Sequence, residues 1–301
     1  MGEAIYNLLA AIYANGSGNI KTYIAQVLSK LGPMITNDLR GWYSVFVGLA
    51  IGLMLIHFLI ETLNQVTSEL FTLEKLIKSF MQLLVGAVVC LAIPDILSAV
   101  VNFSMTFSNA VVDGEIGVRM SASTSGGIVW KFGNYSGSAF PEWSQVGDAF
   151  QDHYTFLKGI ITYLALFFSA ALPSLGMLIA TIVTDFLVVS TALTFIIKCF
   201  IAPIAVVQIF DGGSRSTGVR YLKSIAATGM TFGAIILVVN AASYLSSSGA
   251  LGFTSSTVTI GFSNIGDSLK LEYYGPLLIL RFATIGAISG VQNIIREALG
   301  A

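Results

Sequence analysis

The sequence predicts an all-α integral membrane protein: a bundle of about five transmembrane helices preceded by an N-terminal amphipathic helix. Three observations predict it. Only 10% of the 301 residues are Asp, Glu, Lys or Arg, against about 25% in soluble domains. Apolar residues make up 55% of the chain and its mean hydropathy is +0.81. The apolar residues also fall into uncharged runs of about 20, and at about 1.5 Å per residue such a run spans a hydrocarbon core of about 30 Å. A water-soluble chain of this size cannot bury so much apolar surface behind so few charges, so lipid must be the solvent for much of it. The net charge of −1 argues against nucleic-acid binding by bulk charge, which needs clustered Lys and Arg.

Residues 1–39 form the amphipathic segment. Ile20, Tyr23, Ile24, Val27, Leu28 and Leu31 recur at helical spacing, while Lys21, Gln26, Ser29 and Lys30 fall largely elsewhere. Such a helix lies on the bilayer, docks on a partner or packs on the chain's own helices. Met1-Gly2-Glu3 lacks the basic start of a secretory signal. Residues 40–112 hold the first two spans. Trp42–Ile60 is uncharged, with Trp42 and Tyr43 suited to a headgroup interface. Thr72 is placed to cap the second helix, with Glu74 in its positive first turn. That span is expected over about 76–95, bent or ended at Pro94, with 97–112 as an interfacial or partner-facing helix.

Residues 113–157 are the main hydrophilic insertion, read as an extracytoplasmic loop. Residues 158–245 are the central membrane region. Between Gly159 and Phe210 the only charges are Asp185 and Lys198. This stretch either crosses once, or crosses twice for a total of six spans, or contains a broken or re-entrant element. A short basic loop over 211–223 carries Arg215, Arg220 and Lys223, and Ser224–Leu245 is a span. Residues 246–275 read as a Ser/Gly-rich extracytoplasmic loop, in which Thr257-Val258-Thr259-Ile260 alternates like a small hairpin strand. The last span and its tail occupy 276–301. Short basic segments mark the cytoplasmic side, which favours five crossings with an external N-terminal region; Lys21, Lys30 and Arg40 count against that side for the N-terminus.

No enzyme constellation appears. The two histidines, His57 and His153, exclude a histidine-rich metal site or a zinc-protease motif. Asp211-Gly212-Gly213-Ser214 is a turn and not a phosphate-binding loop, and no GxSxG elbow exists. Cys90 and Cys199 lie inside apolar runs and read as packing residues. No catalytic, metal or cofactor site is expected. Ionisable groups at membrane depth are the functional candidates, since each costs roughly 2.5–3.5 kcal/mol at mid-bilayer. His57, Asp95 and Arg281 lie near span ends, within reach of an interface. Asp185 and Lys198 lie deeper and mark a candidate polar seam; 13 positions apart, they would pair directly only across a helix break. Three GxxxG pairs, Gly48/Gly52, Gly229/Gly233 and Gly286/Gly290, offer faces for close helix approach within one subunit or between copies.

The order of features resembles the TrbL/VirB-type polytopic subunit of type IV secretion and conjugation machines. Phe71-Thr72-Leu73-Glu74-Lys75-Leu76-Ile77-Lys78 enters the second span, Ala202-Pro203-Ile204-Ala205 ends the central apolar region, and Arg220-Tyr221-Leu222-Lys223 leads into the next span. The resemblance covers roughly 40–300, and the low charge and small external loop depart from longer members. It implies a non-enzymatic, multi-pass component of a bacterial cytoplasmic membrane, present in several copies beside other secretion subunits and touching translocated DNA or protein transiently. It carries over no catalytic residues. The alternative expectation is a secondary transporter or small-molecule channel, with Asp185 and Lys198 as its polar seam and breaks at Pro173 and Pro203.

Overall fold

The computed structural model describes residues 1–13, 18–38, 40–67, 72–112, 128–137, 139–156, 159–207, 217–247 and 258–300. Eight α-helices appear among them: α1 (Gly2–Tyr13), α2 (Gly18–Pro33), α3 (Arg40–Thr67), α4 (Leu73–Val112), α5 (Trp143–Phe156), α6 (Ile160–Val207), α7 (Thr217–Ser247) and α8 (Leu271–Leu299). A π-helical turn, Met34–Asp38, joins α2 towards α3. Five helices are long and apolar enough to cross a membrane: Gly41–Thr67, Leu73–Val111, Ile160–Ala205, Thr217–Ala242 and Leu271–Leu299. The chain is a helical, multi-pass membrane protein.

Two expectations about these helices are corrected. Pro94 neither ends nor separates the second span, because α4 runs unbroken for 40 residues. The stretch from Gly159 is not broken or re-entrant, because α6 is one helix of 48 residues that passes through Pro173 and Pro203. The physical reason is shared. A proline removes one N–H from the ladder, but in an apolar surrounding no water satisfies the backbone groups that a break would free, so the helix continues. Thr72 does cap α4: the Lys75 amide donates to its Oγ1 at 3.4 Å and the Leu76 amide to its carbonyl at 3.2 Å.

The chain divides into two compact units. The first combines residues 1–23, 114–187 and 235–290. Its centre is an aromatic cluster. In α1 the apolar positions Ile5, Tyr6, Leu9 and Ile12 share one face and are buried. Strands β1 (Ile128–Phe132) and β2 (Tyr135–Gly137) form a hairpin that pairs Phe132 with Tyr135 across the two-residue turn Gly133–Asn134. Gly133 sits at φ 60°, the left-handed conformation such a turn requires. Alternation along β1 buries Trp130 and Phe132. In α5, Val146, Phe150 and Tyr154 recur every four residues on the buried side. The helix starts where the Gln145 side chain accepts from the Glu142 amide at 3.0 Å while the Gln145 amide donates to the Glu142 carbonyl at 2.9 Å. The segment read as a loop is thus, in its described part, a hairpin and a helix.

The strand expected near Thr257 is present as β3 (Val258–Gly261), with Thr257 itself outside the described residues. Among the described residues it does not form a hairpin. It lies parallel to β1, pairing Val129 with Thr259 and Trp130 with Ile260, in a sheet of order β2-β1-β3. A 3-10 helix, Phe262–Leu269, follows and leads to α8, which begins before Pro276 rather than at it. Tyr13 donates to the Ser268 carbonyl and Tyr6 to the Pro141 carbonyl, tying α1 to both later segments.

The second unit combines residues 24–113, 188–234 and 291–301. Here α3 and α4 pack as neighbours, and Ile24, Leu28 and Leu31 of α2 are buried by the chain itself. Cys90 and Cys199 are free thiols in full burial.

Candidate functional site

The second unit holds a polar cluster built from three apolar helices. Lys198 of α6 donates through Nζ to the Ser224 carbonyl at 3.3 Å, to Ser224 Oγ at 2.9 Å and to Thr228 Oγ1 at 2.6 Å. All three ammonium protons are thereby used. Ser224 and Thr228 lie four residues apart on α7, one above the other, and Thr228 Oγ1 donates back to the Ser224 carbonyl at 2.8 Å. From α8, Gln292 donates to Thr228 Oγ1 at 3.3 Å, and Arg296, four residues on, donates through an Nη to Ser224 Oγ at 3.2 Å. Tyr221 closes the group by donating to the Lys198 carbonyl at 3.1 Å.

Two features of this cluster matter chemically. A lysine and an arginine share a single hydroxyl acceptor, and neither has a carboxylate partner among the described residues. The Arg296 Nε, moreover, is buried without an acceptor. The cluster is therefore rich in donors and carries two positive charges in half-buried surroundings.

A second polar feature lies among α3, α4 and α6 in the same unit. A cavity of about 580 Å³ is lined by His57, Glu61, Ser79 and Gln82, with apolar walls that include Met54 and Ile204. A neighbouring hollow of about 430 Å³ shares Glu61, Ser79 and Gln82 and adds Lys75 and Lys78. The Gln65 amide bridges Glu61 Oε1 and Ser79 Oγ, each at 3.4 Å. Opposite charges and amides thus gather near the end of α3 and the start of α4. Among the described residues no three His, Cys, Asp or Glu come together.

The sequence-predicted residues separate under this geometry. Asp185 and Lys198 lie on one unbroken helix, about 20 Å apart along its axis, so the direct pair that a break would have allowed does not form. Asp185 belongs to the first unit and has no hydrogen-bond or ion-pair partner among the described residues. The broken helices that motivated the transporter alternative are absent from α6. The GxxxG pairs divide as well. A Cβ on Gly229 would strike Ser104, and one on Gly233 would lie 2.7 Å from Phe107 and 3.2 Å from the Ser108 backbone. That pair is packed inside the bundle. Gly48, Gly52, Gly286 and Gly290 face nothing within 4 Å. Arg220 and Lys223 belong to the exposed first turns of α7 rather than to a loop, and Arg215 lies outside the described residues.

Sequence reasoning missed Ser224, Thr228 and Gln292, and placed Arg296 only as a basic tail. The available signal was spacing. Ser224/Thr228 and Gln292/Arg296 are both i, i+4 polar pairs, each setting two polar side chains on one face of a spanning helix. Comparison with protein-family models, with curated proteins and with solved structures finds no match.

Proposed function

We propose that this chain is a multi-copy channel or scaffold subunit of a type IV secretion or conjugation machine in a bacterial cytoplasmic membrane, helping DNA–protein or protein substrates across. The observation that carries the assembly part of this reading is the length of the apolar face on α6. Large apolar side chains stay exposed at Ile160, Phe168, Leu175, Ile182, Leu193 and Ile201, among others. From Ile160 to Ile201 the helix rises about 60 Å. A hydrocarbon core of about 30 Å, crossed at a tilt of about 40°, covers only about 40 Å of helix. The remaining 20 Å or so of apolar face calls for a protein cover, either other copies or other subunits. The secretion assignment itself rests on the motif order.

The test is isolation in mild detergent from cells that carry an active secretion machine. Other secretion components should co-purify, the particle mass should exceed that of one chain, and deletion of the gene should abolish substrate transfer. A lone monomer that retains full activity overturns the proposal. So does solute flux through liposomes containing this protein alone, which is the behaviour of the transporter alternative.

A further inference from the structure

We propose that the Lys198–Ser224–Arg296 cluster is a binding site for a phosphate group at the membrane surface. It is an inference independent of the secretion assignment and rests only on membrane insertion. The argument begins with charge. Lys198 and Arg296 both point at Ser224 Oγ, at 2.9 and 3.2 Å. Two cations that converge on a neutral oxygen repel one another, and the repulsion grows as water is excluded. Membrane proteins ordinarily relieve this with an intramembrane carboxylate. Here none pairs with either cation among the described residues, and the adjacent Glu297 is exposed.

Hydrogen bonding leads to the same ligand. Thr228 Oγ1 accepts from Lys198 and Gln292 and donates to the Ser224 carbonyl, which exhausts its capacity. Ser224 Oγ accepts twice, and its own proton finds no acceptor among the described residues. The Arg296 Nε–H is also without an acceptor. What the cluster lacks is a group that only accepts and carries negative charge. An oxyanion meets both needs, and Arg recognises phosphate through paired N–H donors.

Depth selects among oxyanions. Lys198 lies seven positions before the end of its span, Ser224 seven after the start of its span, and Arg296 three before the end of its own. Those offsets place the cluster about 5–10 Å in from the ends of three apolar helices, a distance comparable to the polar layers of a bilayer, which add about 5–8 Å per side. Arg220 and Lys223 are exposed on the first turns of α7, and Lys223 reaches over Gly300 at the end of α8. They extend the positive field outward from the cluster. Basic pockets between transmembrane helices at this depth suit anionic headgroups.

The experiment uses the full chain, purified in a neutral detergent. Thermal unfolding is followed with phosphatidylglycerol, with phosphatidylcholine or with inorganic phosphate added, and bound lipid is counted by native mass spectrometry. Phosphatidylglycerol should stabilise the protein and remain bound where phosphatidylcholine does not. Inorganic phosphate alone giving the full shift would confirm the site and assign it to a soluble phosphate. No difference among the three additions overturns the proposal, on unaltered protein and without any variant. Arg296→Gln and Lys198→Met should each weaken retention about fivefold, the effect of one charge near the surface. Arg220→Gln, outside the cluster, should weaken it less. Equal retention by all three variants also overturns the proposal.

Discussion

The aromatic cluster and the helical bundle pack with different emphasis. In the first, rings meet rings: Tyr6 lies 5.1 Å from Trp143, Trp130 lies 4.8 Å from Phe140, and Phe150 lies 4.7 Å from Tyr154. In the second, close approaches occur at residues with no side chain, Gly229 against Ser104 and Gly233 against Phe107. The difference follows from the solvent. In water, burying a large ring is strongly favourable, and rings add edge-to-face attraction. In lipid, burying an apolar group against another helix gains nothing from hydration, so helices associate through close backbone contact. The same contrast appears in the polar groups. Tyr6 and Tyr13 tie α1 to distant segments through backbone carbonyls, whereas Lys198 and Arg296 converge on a hydroxyl of α7.

Truncating a ring tests the comparison most severely. Phe150 is fully buried and touches Tyr6, Trp143, Tyr154 and Phe262. Phe150→Ala should cost about 3–5 kcal/mol. Near-ultraviolet circular dichroism should collapse while the far-ultraviolet helical signal and membrane insertion persist. Loss of both signals together would mean that the aromatic cluster and the spans fold as one body.

The glycine pairs give a smaller effect with a built-in control. Gly233→Ala forces Phe107 and the Ser108 backbone to move, a cost of about 1–3 kcal/mol in detergent unfolding. Gly48→Ala and Gly286→Ala add a methyl where nothing lies within 4 Å, and should change stability by no more than about 1 kcal/mol, in the direction of greater helix propensity. A loss of self-association in Gly286→Leu with unchanged monomer stability would place that face between copies.

Much of the bundle was legible because a bilayer imposes a length on any span. Trp42–Ile60 could be read directly from its run of uncharged residues, and Thr72 as a cap from its place before Glu74. What was not legible depends on pairing between distant segments. β1 meets β3 across about 130 residues of chain, and no local pattern announces a parallel partner. The hairpin was legible in principle: the β-branched and aromatic run Ile128–Phe132 leads into Gly133–Asn134, a turn signal. Its high glycine and serine surroundings concealed it. Pro94 and Pro203 misled because proline stops helices in water more reliably than in lipid. The Lys198 cluster escaped because its members come from three helices, and only one of them had been recognised as a charge at depth.

The smallest effect at neutral pH concerns Tyr6. Burial, with lesser contributions from Tyr135 and Glu142, pushes its phenol up to about 12, from about 10 in an unfolded chain. Tyr13 and Tyr154 are raised by burial in the same direction. A raised folded-state value means that the fold holds the proton more tightly than the unfolded chain does. The associated stability is complete below pH 10 or so and declines as pH rises towards 12. The near-ultraviolet signal should therefore fail in that alkaline window, ahead of the far-ultraviolet signal of the spans. Tyr6→Phe removes the hydrogen bond to the Pro141 carbonyl and should cost about 1 kcal/mol at pH 7. It should also make the alkaline loss shallower, because one fewer phenol releases a proton on unfolding. An alkaline profile unchanged by Tyr6→Phe would show that the window belongs to Tyr13 and Tyr154, with Tyr13 rather than Tyr6 as the phenol that ties α1 to a later segment.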